Sequence, residues 1–464
     1  MVFSGLTFLL LFLPILLVLY FLSRDLRWRN GVLVVFSLIF YAWGEPVMVL
    51  LLIGTTLFNF FAARCMDRAK TPAGKKLWLI LGVAGSLAGL VYFKYAGFFL
   101  STLESLFGFQ LAFNAPRLPI GISFYTFQIL TYTVDVYRGK VNVQKSFWRL
   151  LLYVSCFPQL IAGPIVQYSD VAAALDDRVT TLDDFIDGMG RFLLGLGKKV
   201  LLANTCGSFL LAVLPSGTAP KSIGGAWLSA LLYSLQLYFD FSAYSDMAIG
   251  LGRVLGFTYK ENFLYPYCSL SPSEFWRRWH ISLGTFFRDY VYIPLGGSRR
   301  GKGRQLLNLL IVWALTGLWH GAAWNFVLWG LYWFVLLVID KELSMLWEKV
   351  PKILRWLCTF LAAVIGMVIF YYTDIPALSA HLAALFNGGL GWLDEAAAAA
   401  LRQYGLFLPL ACLAATPLVP LIKKAAQTRP ALSLLGTVSA VCVGLLSLLF
   451  LIQQSYNPFI YFRF

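Results

Sequence analysis

Apolar runs of bilayer length, separated by short basic stretches, set the rhythm of this chain. Residues 1–23 carry no charged side chain, and Arg24, Arg27 and Arg29 follow directly. With no basic leader and no small-residue cleavage site, this run reads as a retained first span rather than a removable signal peptide. Residues 30–43 and 46–63 form a second apolar pair hinged at Gly44-Glu45-Pro46, which returns to Arg64, Arg68, Lys70, Lys75 and Lys76. A span over 77–93 leads out, and 95–116, broken by Glu104 and Pro116, reads as an outer-surface helix and loop. A span over 118–134 comes back to Arg138, Lys140, Lys145 and Arg149. Each of these basic loops falls on the same side, so lysine and arginine placement puts them in the cytoplasm and both termini outside.

The middle of the chain is less regular. Pro158, Gly163 and Pro164 interrupt 150–169 and predict a broken or re-entrant segment, tolerated only where protein or a cavity covers the backbone. Residues 183–199 mix acids, glycine and lysine with a leucine face and predict an interfacial helix, with spans over 200–214 and 222–239 after it. Further spans are expected over 356–373, 403–422 and 432–452. The expected architecture is all-α and polytopic, one helical membrane domain over 1–464 with re-entrant segments and roughly eleven passes of about 20 residues each.

Composition narrows the class. Hydrophobic residues make up 59% of the 464-residue chain and charged residues 13%, with a mean hydropathy of +0.74. That excludes soluble, disordered and collagen-like classes. The net charge of +15 fits positive cytoplasmic loops better than nucleic-acid binding. Seven cysteines without C-x-x-C pairing read as small buried hydrophobes, and three histidines are too few for a metal cluster. Gly250-x-Gly252-x-x-x-Gly256 misses the dinucleotide fingerprint and Gly197-Lys198-Lys199 misses the phosphate-loop spacing. No G-x-S-x-G or H-E-x-x-H occurs.

The chemistry concentrates between 271 and 340. From 305 to 339 the chain has 35 residues without a charge and one titratable group, His320. As one helix it would run about 52 Å, against a hydrocarbon core of about 30 Å. Basic residues flank both ends, so the chain must enter, turn at His320-Gly321-Ala322-Ala323 and return, leaving His320 deep in the membrane. An intramembrane ionisable group is a functional candidate, set against a neutral histidine bonded inside the bundle. Trp319 and Trp324 are candidate walls for it, and Asn325 a candidate amide hydrogen bond. Upstream, SPSEFWRRWHISLGTFFRDYVYIPLGGSRRGKGR interleaves aromatic residues with charge around His280. It is too charged to span and too aromatic to be a solvated loop. Arg277, Arg278, Arg299 and Arg300 suit a phosphorylated ligand, the competing reading being anchorage by snorkelling side chains. Asp240 and Asp246 at the end of a pass should be paired, with Arg253 or the Arg277/Arg278 pair as partners, structural pairing being favoured over catalysis. His381 falls in an outer segment and reads as incidental.

FWRRWHISLGTFFRDYVYIPLGG at 275–297 and LTGLWHGAAWNFVLWGLYWF at 315–334 together resemble the membrane-bound O-acyltransferase (MBOAT) family. More narrowly, they resemble the bacterial branch that acetylates alginate and D-alanylates teichoic acid. FPQLIAGPIVQY at 157–168, YFDFSAYSDMAIGLGRVLGF at 238–257 and SYNPFIYFRF at 455–464 are similar to the alginate-type subgroup. The motif core covers about 118–340, whereas the first hundred residues match in hydropathy alone. The resemblance implies a helical bundle in a bacterial inner membrane. It implies an acyl relay from a cytoplasmic thioester, acetyl-CoA or a carrier protein's phosphopantetheine, to an outward hydroxyl on a glycan or an exported acetyltransferase partner. His320 matches the family's catalytic histidine and His280 its second motif residue. No permanently bound cofactor or metal is implied. The alternatives left open are a D-alanyl relay and a transporter or flippase built from the same broken helices.

Overall fold

A computed structural model describes residues 1–109, 113–161, 163–215, 218–418, 420–421, 430–453 and Ile460. Among them every regular element is a helix. Six helices are long and apolar enough to cross a membrane: Met48–Arg68, Pro72–Phe107, Leu182–Val213, Trp324–Glu342, Lys352–Tyr371 and Leu435–Gln453. A seventh is possible if Glu395–Tyr404 and Phe407–Ala414, bent by 72°, count as one span. The expected eleven passes are therefore not all accounted for by such helices. Large apolar side chains such as Leu10, Val18, Leu50, Phe61, Ile80 and Leu449 are exposed on outer helix faces. A soluble monomer does not present apolar surface on this scale. The protein is a multi-pass membrane protein.

Two compact units are distinguished by their internal contacts, Met1–Phe192 with Ser245–Lys260, and Leu193–Tyr244 with Glu261–Phe464. In the first, Asp25 caps the Leu26–Ala42 helix by accepting from the Arg27 and Trp28 amides, each at 3.3 Å. That helix stops at the expected turn around Gly44–Pro46, and Met48–Arg68 leads away from it. The Ile122–Tyr137 helix is buried on nearly every face although it carries Ser, Thr, Gln and Asp. Several of its polar groups find partners inside the unit: Thr133 donates to Asn59 Oδ1 at 2.9 Å, Asn59 to Ser86 at 2.8 Å, and Lys140 to Asp135 at 3.1 Å. The 150–169 region is broken as expected, into Phe147–Ser155, Phe157–Leu160 and Tyr168–Asp176. The run 95–116 differs from expectation. The Pro72 helix continues through one wide turn to Phe107, and only then does a loop begin.

The largest departure from the sequence reading is at 183–199. There is no separate interfacial helix, because the backbone is helical without a break from Leu182 to Val213. Four of the charges that suggested an interface, Asp184, Asp187, Arg191 and Lys199, are neutralised by partners far away in the chain. Arg253 pairs with Asp184 at 3.1 Å and Asp187 at 2.9 Å, and Arg191 with Asp246 at 2.8 Å. The predicted partners of the acids are corrected accordingly. Asp246 takes Arg191 and Asp240 takes Lys199 at 2.7 Å, while Arg253 serves the two upstream acids. The near-fingerprint glycine Gly250 serves a helix crossing, since a Cβ at Gly188 would come within 2.6 Å of its carbonyl oxygen.

In the second unit the 305–339 run folds as expected, as Lys302–His320, a break at 321–323, and Trp324–Glu342 returning beside it. Two glycines let the arms touch. A Cβ on Gly317 would collide with the Phe326 carbonyl oxygen, and one on Gly330 with that of Trp313. Lys352–Tyr371 packs on the returning arm, where Tyr332 donates to the Ala362 carbonyl at 2.7 Å. The cysteines are corrected in part. Cys156 and Cys206 are buried, Cys65 and Cys268 are half-buried, and Cys358, Cys412 and Cys442 are exposed on apolar helix faces. Hydropathy marks such faces as apolar without saying whether protein or lipid covers them.

Candidate active site

The turn of the 305–339 hairpin carries the site. His320 is the last residue of its helix and only 5% exposed. Rings surround it edge-on, with centroids at 5.0 Å for Trp319, 5.0 Å for Trp329 and 5.1 Å for Phe370. The ring of His280 lies 6.4 Å away. Between these walls runs a narrow cavity lined by Leu237, Phe241, Trp279, His320, Trp329, Met367 and Phe370. Its lining is almost wholly apolar, with the imidazole as its titratable group. An apolar space of this kind disfavours water beside its one titratable group.

The basic aromatic segment explains how His280 reaches the same place. Ser271 caps the Pro272–Arg278 helix by accepting from the Glu274 amide at 3.2 Å, and Glu274 accepts from the Leu270 amide at 2.8 Å. This reciprocal cap fixes where the short helix starts. Its inner face stacks Phe275 on Trp333 at 5.2 Å and on Trp279 at 5.6 Å, and sets Trp276 edge-on to Trp313 at 4.6 Å. After Trp279 the chain turns through His280 in the left-handed region, at φ 45°, and Ile281–Phe287 begins. A side chain with a Cβ occupies that region only where surrounding structure imposes it. Here the turn drives His280 inward to 1% exposure, edge-on to Phe241 at 4.7 Å and to Trp319 at 5.6 Å. The segment is neither a span nor a solvated loop, as its pattern predicted.

The remaining predicted residues divide. Trp319 is buried edge-on against both histidines but is not among the residues that line the cavity, so Trp329 and Trp279 supply its indole walls. Trp324 is 53% exposed and does not wall it either, because as the first residue of the returning helix it falls on the outward face. Asn325 is buried, but its amide donates to the carbonyls of Ile369 at 3.4 Å and Phe370 at 3.3 Å. It holds the end of Lys352–Tyr371, and with it Phe370, beside His320. Arg277, Arg299 and Arg300 are exposed, and Arg278 pairs with Glu274 at 2.6 Å. None of the four lines the cavity. Asp240 is a buried structural anchor, receiving Lys199 on one oxygen and the Ile460 amide at 2.8 Å on the other. His381 is structural too, bonded to the Tyr372 hydroxyl at 2.9 Å and the Ala226 carbonyl at 3.1 Å. Sequence reasoning missed Trp329, Met367 and Phe370, which lie in runs too uniformly apolar to stand out. It also missed Asn262, a polar residue in an aromatic stretch just upstream of the 271–304 segment.

A family model for the membrane-bound O-acyltransferases matches residues 139–373, which contain both histidines and every cavity residue. The chain belongs to the membrane-bound O-acyltransferase family. Among its relatives, a protein of Pseudomonas aeruginosa named probable alginate O-acetylase AlgI is 43% identical over 404 residues, 85% of this chain and 76% of that one. The peptidoglycan O-acetyltransferase of Helicobacter pylori is 35% identical, over 76% of this chain and 73% of its own. The teichoic acid D-alanyltransferase of Bacillus subtilis is 28% identical over 61% of this chain and 76% of its own. The chain is thus an O-acyltransferase, and the buried histidine pair lies within the segment that defines the family.

Proposed function

We propose that this O-acyltransferase relays an acetyl group from a cytoplasmic thioester to a hydroxyl on the outer side of a bacterial inner membrane, for exopolysaccharide or cell-wall glycan acetylation. The observation that carries this reading is His320, a buried imidazole at the turn of a membrane hairpin, lining an apolar cavity within the family segment. The acceptor oxygen attacks the thioester carbonyl carbon while His320 removes its proton. The tetrahedral intermediate then collapses with cleavage of the C–S bond, and the proton passes from His320 to the departing thiolate. An ester and a free thiol result, and no water is consumed. Acetyl is favoured over D-alanyl because the relatives named for O-acetylation are 35–43% identical, against 28% for a relative named for D-alanylation.

The donor is acetyl-CoA or an acetylated carrier protein, and exposed Arg277, Arg299 and Arg300, with Arg278, attract its phosphate from the cytoplasmic face. The outer acceptor is a glycan or an exported acetyltransferase that hands the group on. The test is transfer from labelled acetyl-CoA, or from an acetylated carrier protein, by the full chain in proteoliposomes. Thioester-dependent acetylation of a glycan or exported acceptor is expected. Movement of cargo with no thioester consumed would return the transporter reading.

A further inference from the structure

The second histidine is held in a way that fixes where its proton sits. Asn262 is fully buried, and its side-chain oxygen receives three contacts: the Ser282 amide at 3.1 Å, the Ser282 hydroxyl at 2.9 Å and His280 Nδ1 at 3.3 Å. A backbone N–H can only donate, so the Asn262 atom it meets must be the oxygen and not the amide nitrogen. The same oxygen faces His280 Nδ1, and two acceptors do not bond each other. Nδ1 therefore carries the hydrogen, and in the neutral ring Nε2 is a bare lone pair. Nε2 is buried with no hydrogen-bond partner among the described residues. The backbone is clamped at the same point. The Ile281 amide donates to the Asn262 carbonyl at 3.0 Å, and the Leu264 amide to that of Arg278 at 2.9 Å, bracketing the left-handed turn at His280.

We infer that Asn262 is a positioning residue that locks His280 with its hydrogen on Nδ1, so that Nε2 accepts a hydrogen bond from an N–H or O–H of a substrate. The inference rests on the acyl-transfer reading of this site and assigns the second histidine a role distinct from that of His320. A buried acceptor without a partner is costly, and a substrate donor recovers that cost on binding. Two substrate groups supply such a donor, an amide N–H of the pantetheine arm or the acceptor hydroxyl, and kinetics separate them. A pantetheine contact raises the donor KM on loss of His280 Nε2, and a hydroxyl contact raises the acceptor KM.

Three variants and one spectrum test this in the full chain. The protein has only three histidines, so 15N-histidine NMR with His280→Gln as the assignment control reads the His280 tautomer directly. We expect Nδ1–H in the wild type and in Asn262→Asp, whose carboxylate accepts the same three contacts. We expect a mixed tautomer in Asn262→Ala, with kcat/KM about tenfold lower for the substrate that supplies the donor. Recovery of activity in Asn262→Asp is part of the expectation. An Nε2–H tautomer in the wild type overturns the inference. So does equal loss of activity in both Asn262 variants with the Nδ1–H tautomer retained, because Asn262 is then only a clamp on the turn. The spectrum does not depend on turnover. If His320→Ala keeps its transfer activity, the catalytic reading fails by itself and the tautomer result still decides on Asn262.

Discussion

In the proposed reaction, His320 presents one lone pair beside a carbonyl that is already activated. A thioester needs no metal to accept an oxygen nucleophile; what is scarce at neutral pH is the nucleophile, and a general base supplies it. His320→Ala should lower acetyl transfer about 10²- to 10⁴-fold, measured as labelled ester formed per molecule of inserted enzyme. Size-exclusion profile and melting temperature should stay near wild type, because the change removes one ring from a turn and leaves both helices of the hairpin intact. A correctly inserted variant with wild-type transfer would leave His320 as packing. The arginines call for a different measurement. Glutamate in place of Arg277, Arg299 and Arg300 should raise the KM for the thioester, and the wild-type KM should itself rise with salt, since these exposed charges act through a screened field. An unchanged donor KM would leave them with membrane anchorage alone.

The hairpin is the element on which the site depends, and its two arms meet backbone to backbone at Gly317 and Gly330. Leucine at either glycine must push the arms apart, so Gly330→Leu should cost about 1–3 kcal/mol or more, lower the melting temperature, and depress transfer by shifting His320 off the cavity. This hairpin could be read from the sequence because charge marks both of its ends and is absent between them. The same logic failed at 182–213, where the charges are real but their partners lie some 40 to 70 positions away, and pairing at that range leaves no local trace. Trp319 and Trp324 show the limit at the scale of a single turn. They flank a break, the helical phase restarts after it, and one indole faces inward while the other faces out. The two histidines were visible as the ionisable groups of aromatic, apolar stretches. The walls between them were not, because Trp329, Met367 and Phe370 are apolar residues among apolar residues.

For the molecule as a whole, the distribution of lysine and arginine predicts the direction in which the proposed relay runs. Single cysteines placed in the 299–304 loop of a cysteine-free background should be labelled from the cytoplasmic side, and ones near either terminus from the outside. The reverse pattern would overturn the orientation and with it the side from which the thioester enters. A second global prediction concerns Lys199 and Asp240, both less than a twentieth exposed at the side chain. Breaking the pair by Asp240→Ala should cost about 3–5 kcal/mol, because it leaves a buried ammonium with the neutral Asn204 amide oxygen and no carboxylate, whereas Lys199→Met with Asp240→Leu should recover most of that loss in a thermal melt. The Ile460 amide gives this pair a place in time as well as in space. Asp240 Oδ2 receives its backbone donor from a residue 220 positions further along the chain. During synthesis that bond cannot form until residue 460 has left the ribosome and the insertion machinery. The buried charge must wait for that later segment, so a ribosome stalled before codon 460 should hold an enzyme that is inserted but still less stable than the released one.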